Sequence, residues 1–218
     1  MIEDFNIFRF LKKNETFHSG MIAAIVAHDE KCWDSFFDML KHKYDAEKID
    51  DLRNSIDHSN KGNLWIKTEV NLKEDISDKR IVRKRGRADI WIGSNNYHDK
   101  KAIRYRLIIE NKINAGNQDH QLRRYYRYLT GEGRINSGLF FLCKEKHEGF
   151  KMQAQESAKS YSSESNGKER QETQYEIITY KDDIIPWLEK VIIETNDKDF
   201  VIMVKQYLEI VKSLVGII

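Results

Sequence analysis

Hydrophobic and polar positions follow two different spacings along the chain. In the first third, apolar residues recur every three or four positions, which is typical of helices that bury one face. Such segments cover residues 15–28, which Asn14 can cap, and residues 32–44. Residues 45–62 are polar and predict a helix that passes into a loop. After that point, short runs rich in β-branched and aromatic residues predict strands.

The rest of the chain predicts a sheet with helices around it. The strand-like runs cover residues 64–72, 87–93, 104–113, 137–143 and 175–180. Helical spacing returns at residues 117–129, 182–193 and 199–215. The polar stretch 144–174 predicts a surface excursion that is partly mobile or locally helical. The order α-α-β-β-β-α-β-β-α-α therefore predicts an α/β fold with a mixed central β-sheet flanked by helices.

Length and composition limit the class of protein. A chain of 218 residues suits one domain with a sizeable core, and two domains would be cramped. We expect a single domain over residues 1–218, with a helical lead-in at about 1–62, a core at about 63–193 and a C-terminal helix at about 199–215. No run approaches the ~20 apolar residues of a membrane helix, so we expect no membrane partner.

Net charge and the cysteines say little about the function of the protein. The net charge of +2 does not by itself indicate a polyanionic partner. The start of the chain has acids and no basic segment before an apolar core, unlike a secretory signal. Cys32 and Cys143 lie far apart and have no metal-site spacing. These features predict a cytoplasmic protein with reduced thiols.

Two acidic residues interrupt apolar strands. Asp89 lies in ADIWI and Glu110 lies in LIIENKI, where alternation places Glu110 and Lys112 on one face. If these strands form a hairpin, the two carboxylates can converge. Nearby carboxylates repel each other and resist burial, so a divalent cation would stabilise them. Oxygen ligands favour Mg²⁺ or Mn²⁺.

Lys112 adds a catalytic possibility to the two acids. An ammonium group two residues from a metal-binding Glu can help activate an attacking water and offset charge on a phosphate. The alternative is a salt bridge among Asp89, Glu110 and Lys112 on the sheet surface. The pattern is weak alone, but two apolar strands followed by a Gln-containing helix favour the catalytic interpretation.

The run GRADIWI…RLIIENKI…NQDHQLRRYYRYL resembles the PD-(D/E)XK nuclease superfamily. Asp89 matches the Asp of that motif, and Glu110-Asn111-Lys112 matches (D/E)-x-K. Arg87-Ala88 stands where the family name has Pro. Gln121 and Tyr125 resemble the Q-x-x-x-Y motif of the RecB-like and lambda-exonuclease-like branches. The resemblance covers about residues 14–192 and implies a restriction-endonuclease-like core (αβββαβ) behind an N-terminal helical segment.

The resemblance implies Mg²⁺-dependent phosphodiester hydrolysis. It implies metal ligands at Asp89, Glu110 and the main-chain carbonyl of Asn111, with Glu15 of the first helix as a further acid. Gln121 and Tyr125 lie one helical turn apart, and they would orient Lys112 or a substrate phosphate. The alternatives are a polar helix edge for this pair and a favourable helix-dipole interaction for Glu15. Glu69, in a predicted strand, fits an exposed acid better than a residue near the metal.

Basic residues flank the acidic ones. We expect some of them to bind substrate phosphates. For the residues that precede Asp89, the alternative is a solvated charged turn. The candidates are Arg83, Lys84, Arg85, Arg87, Arg123, Arg124 and Arg127.

The leading hypothesis is a metal-dependent nuclease that acts on nucleic acid, with DNA as the expected substrate. The alternatives are a catalytically silent nucleic-acid-binding module with the same fold and a protein-interaction domain. The sequence leaves open DNA versus RNA, exonuclease versus endonuclease, the pathway, and whether the chain forms a homo-oligomer or works with a separate motor or specificity subunit.

Overall fold

A mixed sheet forms the centre of the protein. The computed structural model describes residues 11–54, 64–72, 86–94, 105–113, 120–130, 136–159 and 173–218. The strands are β1 (Leu64–Leu72), β2 (Gly86–Ser94), β3 (Tyr105–Lys112), β4 (Asn136–Cys143) and β5 (Glu176–Thr179). The helices are α1 (Glu15–Val26), α2 (Glu30–Lys41), α3 (Ala46–Asn54), α4 (Gln121–Thr130), α5 (Glu148–Ala158), α6 (Ile185–Glu194) and α7 (Lys198–Leu214). A π-helical turn, Tyr180–Ile184, leads into α6.

The strands lie side by side in chain order. β1, β2 and β3 form an antiparallel meander, whereas β3, β4 and β5 run parallel to one another. Parallel neighbours need crossover connections, and α4 and α5 lie in those two connections. This arrangement confirms the predicted mixed sheet flanked by helices and is that of a restriction-endonuclease-like fold.

Helices cover both faces of the sheet. A large apolar cluster joins residues of α1, α2, α3, α6 and α7 to one face, and a smaller cluster joins α4 and α5 to the other. In β3, Leu107 and Ile109 belong to the first cluster, and Ile108 belongs to the second. Burial on both faces explains the continuous apolar run at residues 107–109 of this strand. None of the helices in the described ranges has the length and apolar content to cross a membrane.

Two helices lie in polar stretches where the sequence shows only a weak helical signal. α3 occupies the start of the stretch predicted to pass from helix to loop, and α5 lies in the excursion predicted to be partly mobile or locally helical. α3 places Ile49 in the core, and α5 buries Phe150 and Ala154. So few apolar residues in a polar segment give a weak helical period, and tertiary packing decides such cases.

β2 changes faces at Asp89. Ile90 packs into the large cluster, whereas Ala88, two residues earlier, packs into the small one. In a regular strand, residues two apart share a face. The regular alternation expected through Asp89 is therefore absent.

β1 changes faces at the matching point. Ile66 packs against the large cluster and Val70 against the small one. Between them Glu69 has a φ of 57°, in the left-handed region that non-glycine residues rarely adopt. The register places Glu69 opposite Asp89. The two strands therefore switch faces together without losing register.

Asn111 ties three elements together at the carboxyl end of β3. Its side chain is fully buried and donates to the Glu15 carbonyl and the Ser19 hydroxyl, each at 3.1 Å. The Tyr180 hydroxyl donates to its Oδ1 at 3.0 Å. These bonds join α1, β3 and the π-helical turn, so the amide fixes the position of α1 against the sheet.

We expect Asn111→Ala to lower the free energy of unfolding by about 2 kcal/mol or more. The change leaves the buried Tyr180 hydroxyl without its acceptor, and each buried polar group left unpaired costs ~1–3 kcal/mol. Chemical denaturation measures the effect. The matched control is Asn196→Ala, an exposed position, where a change within ~0.5 kcal/mol is expected. Equal stability of Asn111→Ala and wild type would contradict the structural role of the amide.

Candidate active site

Asp89, Glu110 and Lys112 meet where β2 and β3 separate. The backbone pairing of these strands includes Ile90 with Ile109 and does not continue to Asp89. At Asp89 the side chain replaces the backbone pairing, because its Oδ2 accepts a hydrogen bond from the Asn111 N–H at 2.7 Å. The backbone pairing of β2 and β3 therefore ends at Ile90 and Ile109, and the carboxylate of Asp89 links the two strands beyond that point.

Glu110 is a buried acid with an incomplete set of partners. Its residue exposure is 1%, and Lys112 Nζ lies 2.7 Å from its Oε1. This ion pair lacks hydrogen-bond geometry, and neither carboxylate oxygen has a hydrogen-bond partner in the described part of the chain. Burial, followed by the charge of Asp89, raises the pKa of Glu110 to about 8. The carboxylate is therefore held at an energetic cost that a cation would relieve.

The pKa values of Asp89 and Lys112, the two charged neighbours of Glu110, are also shifted. Burial raises the pKa of Asp89 to about 6, although the Asn111 N–H and the Lys112 charge oppose this. Burial lowers the pKa of Lys112, but the combined effects of Glu110, Asp89 and Glu15 outweigh burial, so the net shift is upward. Lys112 is therefore a firmly protonated ammonium group between two acids.

Glu15 reaches the same end of β3 from α1. Its Oε1 accepts a hydrogen bond from the Ile113 N–H at 2.9 Å. Its charge also contributes to the raised pKa of Lys112. Glu15 therefore borders the site, with its carboxylate engaged by the strand that carries Glu110.

Gln121 and Tyr125 lie on the buried face of α4. Gln121 Nε2 donates to the Tyr125 hydroxyl at 2.6 Å, and that hydroxyl donates to the main-chain carbonyl of Arg87. The hydroxyl also contacts the Glu110 carboxyl and lowers its pKa. Gln121 Oε1 is buried and has no hydrogen-bond partner among the described residues. The pair therefore anchors α4 to β2 beside the acids.

Glu69 is closer to the site than the sequence indicated. It lies opposite Asp89, and its charge raises the pKa of Asp89. Its Oε2 lies 2.6 Å from Arg87 Nε, and Thr16 donates to its Oε1 at 3.3 Å. An acid in a half-polar strand gives no sequence signal for this position, because the face switch that brings it there arises from tertiary structure.

The basic candidates divide into three groups. Arg83, Lys84 and Arg85 lie outside the described residues. Arg87 is largely exposed and pairs with Glu69. The α4 arginines are partly buried, and one of them, Arg123, donates to the Thr173 hydroxyl at 3.2 Å. The last group consists of Arg123, Arg124 and Arg127.

Asp89 and Glu110 supply part of a binding site for a hard divalent cation. Asp89 and Glu110 both have pKa values raised by burial, and among the described residues neither buried oxygen of Glu110 has a partner in hydrogen-bond geometry. Within the described ranges, no three acidic, histidine or cysteine side chains form a ready metal-binding group. Asp89 and Glu110 are therefore the two side chains whose environment suits a metal ion.

We expect the metal-free protein to lose stability as the pH rises from about 5 to about 8. A folded-state pKa above the unfolded value means that the folded protein binds the extra proton in this range. The resulting destabilisation is absent at low pH and complete above about pH 8. In Glu110→Gln the loss should be smaller by at least ~1 kcal/mol, since one pKa unit corresponds to ~1.4 kcal/mol.

The measurement is chemical denaturation in EDTA at several pH values. Glu209→Gln, an exposed acid on α7, is the control and should follow the wild-type pH dependence. An identical pH dependence in wild type and Glu110→Gln would show that Glu110 does not titrate in this range.

Comparison with known protein families shows to which family the chain belongs. The family model for the PD-(D/E)XK nuclease superfamily matches residues 5–209. Comparisons with curated proteins and with solved structures give no significant match. The family match covers most of the chain and includes the strands that carry the acids. The chain belongs to the PD-(D/E)XK nuclease superfamily.

Proposed function

We propose that this protein is a divalent-metal-dependent nuclease that hydrolyses phosphodiester bonds in DNA. The observation that carries the proposal is the meeting of Asp89, Glu110 and Lys112 at the open end of the β2–β3 pair. Family membership supports the reaction class. The raised pKa values of both acids support a site built to hold positive charge.

Asp89 and Glu110 would hold the metal, Mg²⁺ or Mn²⁺, through carboxylate oxygens. The main-chain carbonyl of Asn111 and the carboxylate of Glu15 are the further ligands that the family resemblance implies. When bound, the metal supplies Lewis acidity and lowers the pKa of a coordinated water. Its charge would also relieve the repulsion between the two buried acids.

Lys112 would act on the reacting groups directly. Its ammonium group is held beside Glu110 and stays protonated, so it can donate to an attacking water or to a phosphate oxygen. Gln121 and Tyr125 would keep β2 and α4 in place around it, in keeping with the resemblance to the Q-x-x-x-Y branches.

Substrate binding would use the basic residues that border the site. Arg87 is exposed beside Asp89, and its Nε pairs with Glu69. Arg83, Lys84 and Arg85 precede it in the chain, and Arg123, Arg124 and Arg127 lie on α4. Such contacts position a nucleic-acid backbone without reading its sequence.

We expect Asp89→Asn and Glu110→Gln to abolish hydrolysis while the protein stays folded. Each change removes one carboxylate charge from the metal site. Cleavage of linear, circular and single-stranded DNA with Mg²⁺ or Mn²⁺ measures activity, and circular dichroism measures folding. Asp199→Asn, an exposed acid in the first turn of α7, is the control and should retain activity. Full cleavage by a folded Asp89→Asn variant would reject the assigned site.

We expect Lys112→Ala to lower the rate of cleavage by about 10²-fold or more, because one well-placed electrostatic stabiliser is lost. Metal affinity should change little, since a protonated lysine cannot bind a cation. Single-turnover cleavage at saturating metal and calorimetric metal titration separate the two effects. Lys205→Ala, on the exposed face of α7, should match wild type in both. Loss of metal binding with an unchanged cleavage rate would contradict the role of Lys112.

A further inference from the structure

A buried polar cluster joins α1, α7 and the π-helical turn to the end of β3. Burying polar groups costs free energy unless each group finds a partner, and a fully paired network favours one arrangement. Such a cluster therefore fixes the elements that carry it. Its five side chains, all fully removed from solvent, are His18, Ser19, Asn111, Tyr180 and Tyr207.

A main-chain carbonyl sets the direction of the hydrogen bonds at His18. The Lys12 carbonyl can only accept, so His18 Nε2, 2.9 Å from it, carries the ring proton. Nδ1 then accepts from the Tyr207 hydroxyl at 3.0 Å. Burial lowers the pKa of His18 to about 4, so the ring is neutral at neutral pH. Tyr207 therefore donates to His18 and not to Asn111.

Tyr180 supplies the donor to Asn111. Its hydroxyl donates to Asn111 Oδ1 at 3.0 Å, and Asn111 Nδ2 donates to the Glu15 carbonyl and to the Ser19 hydroxyl at 3.1 Å each. The Ser19 hydroxyl donates in turn to the same Glu15 carbonyl at 2.9 Å. Both polar atoms of the Asn111 amide are thus bonded, and the amide has one favourable orientation.

Asn111 also links two of the proposed metal ligands. Its main-chain N–H donates to Asp89, and the N–H of Ile113, two residues further on, donates to the Glu15 carboxylate. Glu15 is therefore held at two points, through its carbonyl by the Asn111 side chain and through its carboxylate by Ile113. The position of Glu15 relative to Asp89 depends on the orientation of the Asn111 amide.

We propose that Tyr180 is a positioning residue for the metal site, an inference that rests on the proposed nuclease function. Its hydroxyl orients the Asn111 amide, the amide holds the first turn of α1, and that turn presents Glu15 beside Asp89. Tyr180 acts through these residues and not on the reacting groups. It lies in a π-helical turn, an element that is frequent at functional sites.

The test compares Mn²⁺ affinity in wild type and in Tyr180→Phe, by calorimetric titration of the whole metal-free chain. Phenylalanine preserves the buried ring and removes only the hydroxyl. We expect Mn²⁺ to bind about fivefold more weakly, below the ~10–100-fold loss that is typical when a group bonded directly to a metal ligand is removed. Single-turnover cleavage of linear DNA at saturating Mn²⁺ should stay close to the wild-type rate.

Ser35→Ala is the control for a loss of stability alone. Ser35 is buried in α2 and accepts from Trp187 Nε1 at 3.1 Å, so its removal also leaves a buried polar group unpaired. In chemical denaturation it should lower the free energy of unfolding, as Tyr180→Phe does, while Mn²⁺ affinity stays at the wild-type value. Ser19→Ala removes another partner of the Asn111 amide and should weaken Mn²⁺ binding, which provides a second test if Tyr180→Phe does not fold.

Glu15→Gln tests whether Tyr180 acts through Glu15. In that background, Tyr180→Phe should weaken Mn²⁺ binding no further. Full additivity of the two changes, or wild-type Mn²⁺ affinity in folded Tyr180→Phe and Ser19→Ala, would overturn the inference.

Cleavage of DNA by the wild-type protein tests the nuclease function separately. If wild type binds Mn²⁺ and cleaves DNA while Tyr180→Phe keeps its Mn²⁺ affinity, only the positioning role fails. If Mn²⁺ affinity depends on Tyr180 while wild type cleaves nothing, only the nuclease proposal fails. A wild type that binds no Mn²⁺ would reject both.

Discussion

A buried carboxylate beside a second carboxylate is the constraint on which this site depends. Glu110 is almost wholly removed from solvent, and Asp89 lies close enough to raise its pKa further. Lys112 compensates part of this charge. A fold optimised only for stability would not keep two acids in this position. The remaining imbalance is the physical argument for the proposed cation-binding site.

The sheet creates this constraint by an irregularity in two strands at once. β1 and β2 exchange faces at Glu69 and Asp89 while their register continues. As a result, β2 leaves β3 at Asp89, and a side-chain carboxylate replaces the next backbone hydrogen bond. The left-handed conformation of Glu69 belongs to this switch. Backbone strain of this kind persists where surrounding structure overdetermines it, and it is often found at functional sites.

The surrounding helices hold the end of β3 from both faces. On one face, Asn111 and Glu15 fix the start of α1 to the strand. On the other, Gln121 and Tyr125 attach α4 to β2. The site is therefore supported by elements from the first and the middle thirds of the chain. A side chain held on such a rigid frame needs little reorganisation before it can act on a substrate.

Sequence alone predicted the mixed sheet, most of the helices and the grouping of Asp89, Glu110 and Lys112. Strong apolar periods and acids placed within apolar strands are local features, and a single sequence displays them. It indicated α3 and α5 only as helical parts of polar stretches, since each buries too few apolar residues to produce a clear period. It could not place Glu69 opposite Asp89. That position depends on a paired face switch of β1 and β2, which arises from contacts between residues distant in sequence.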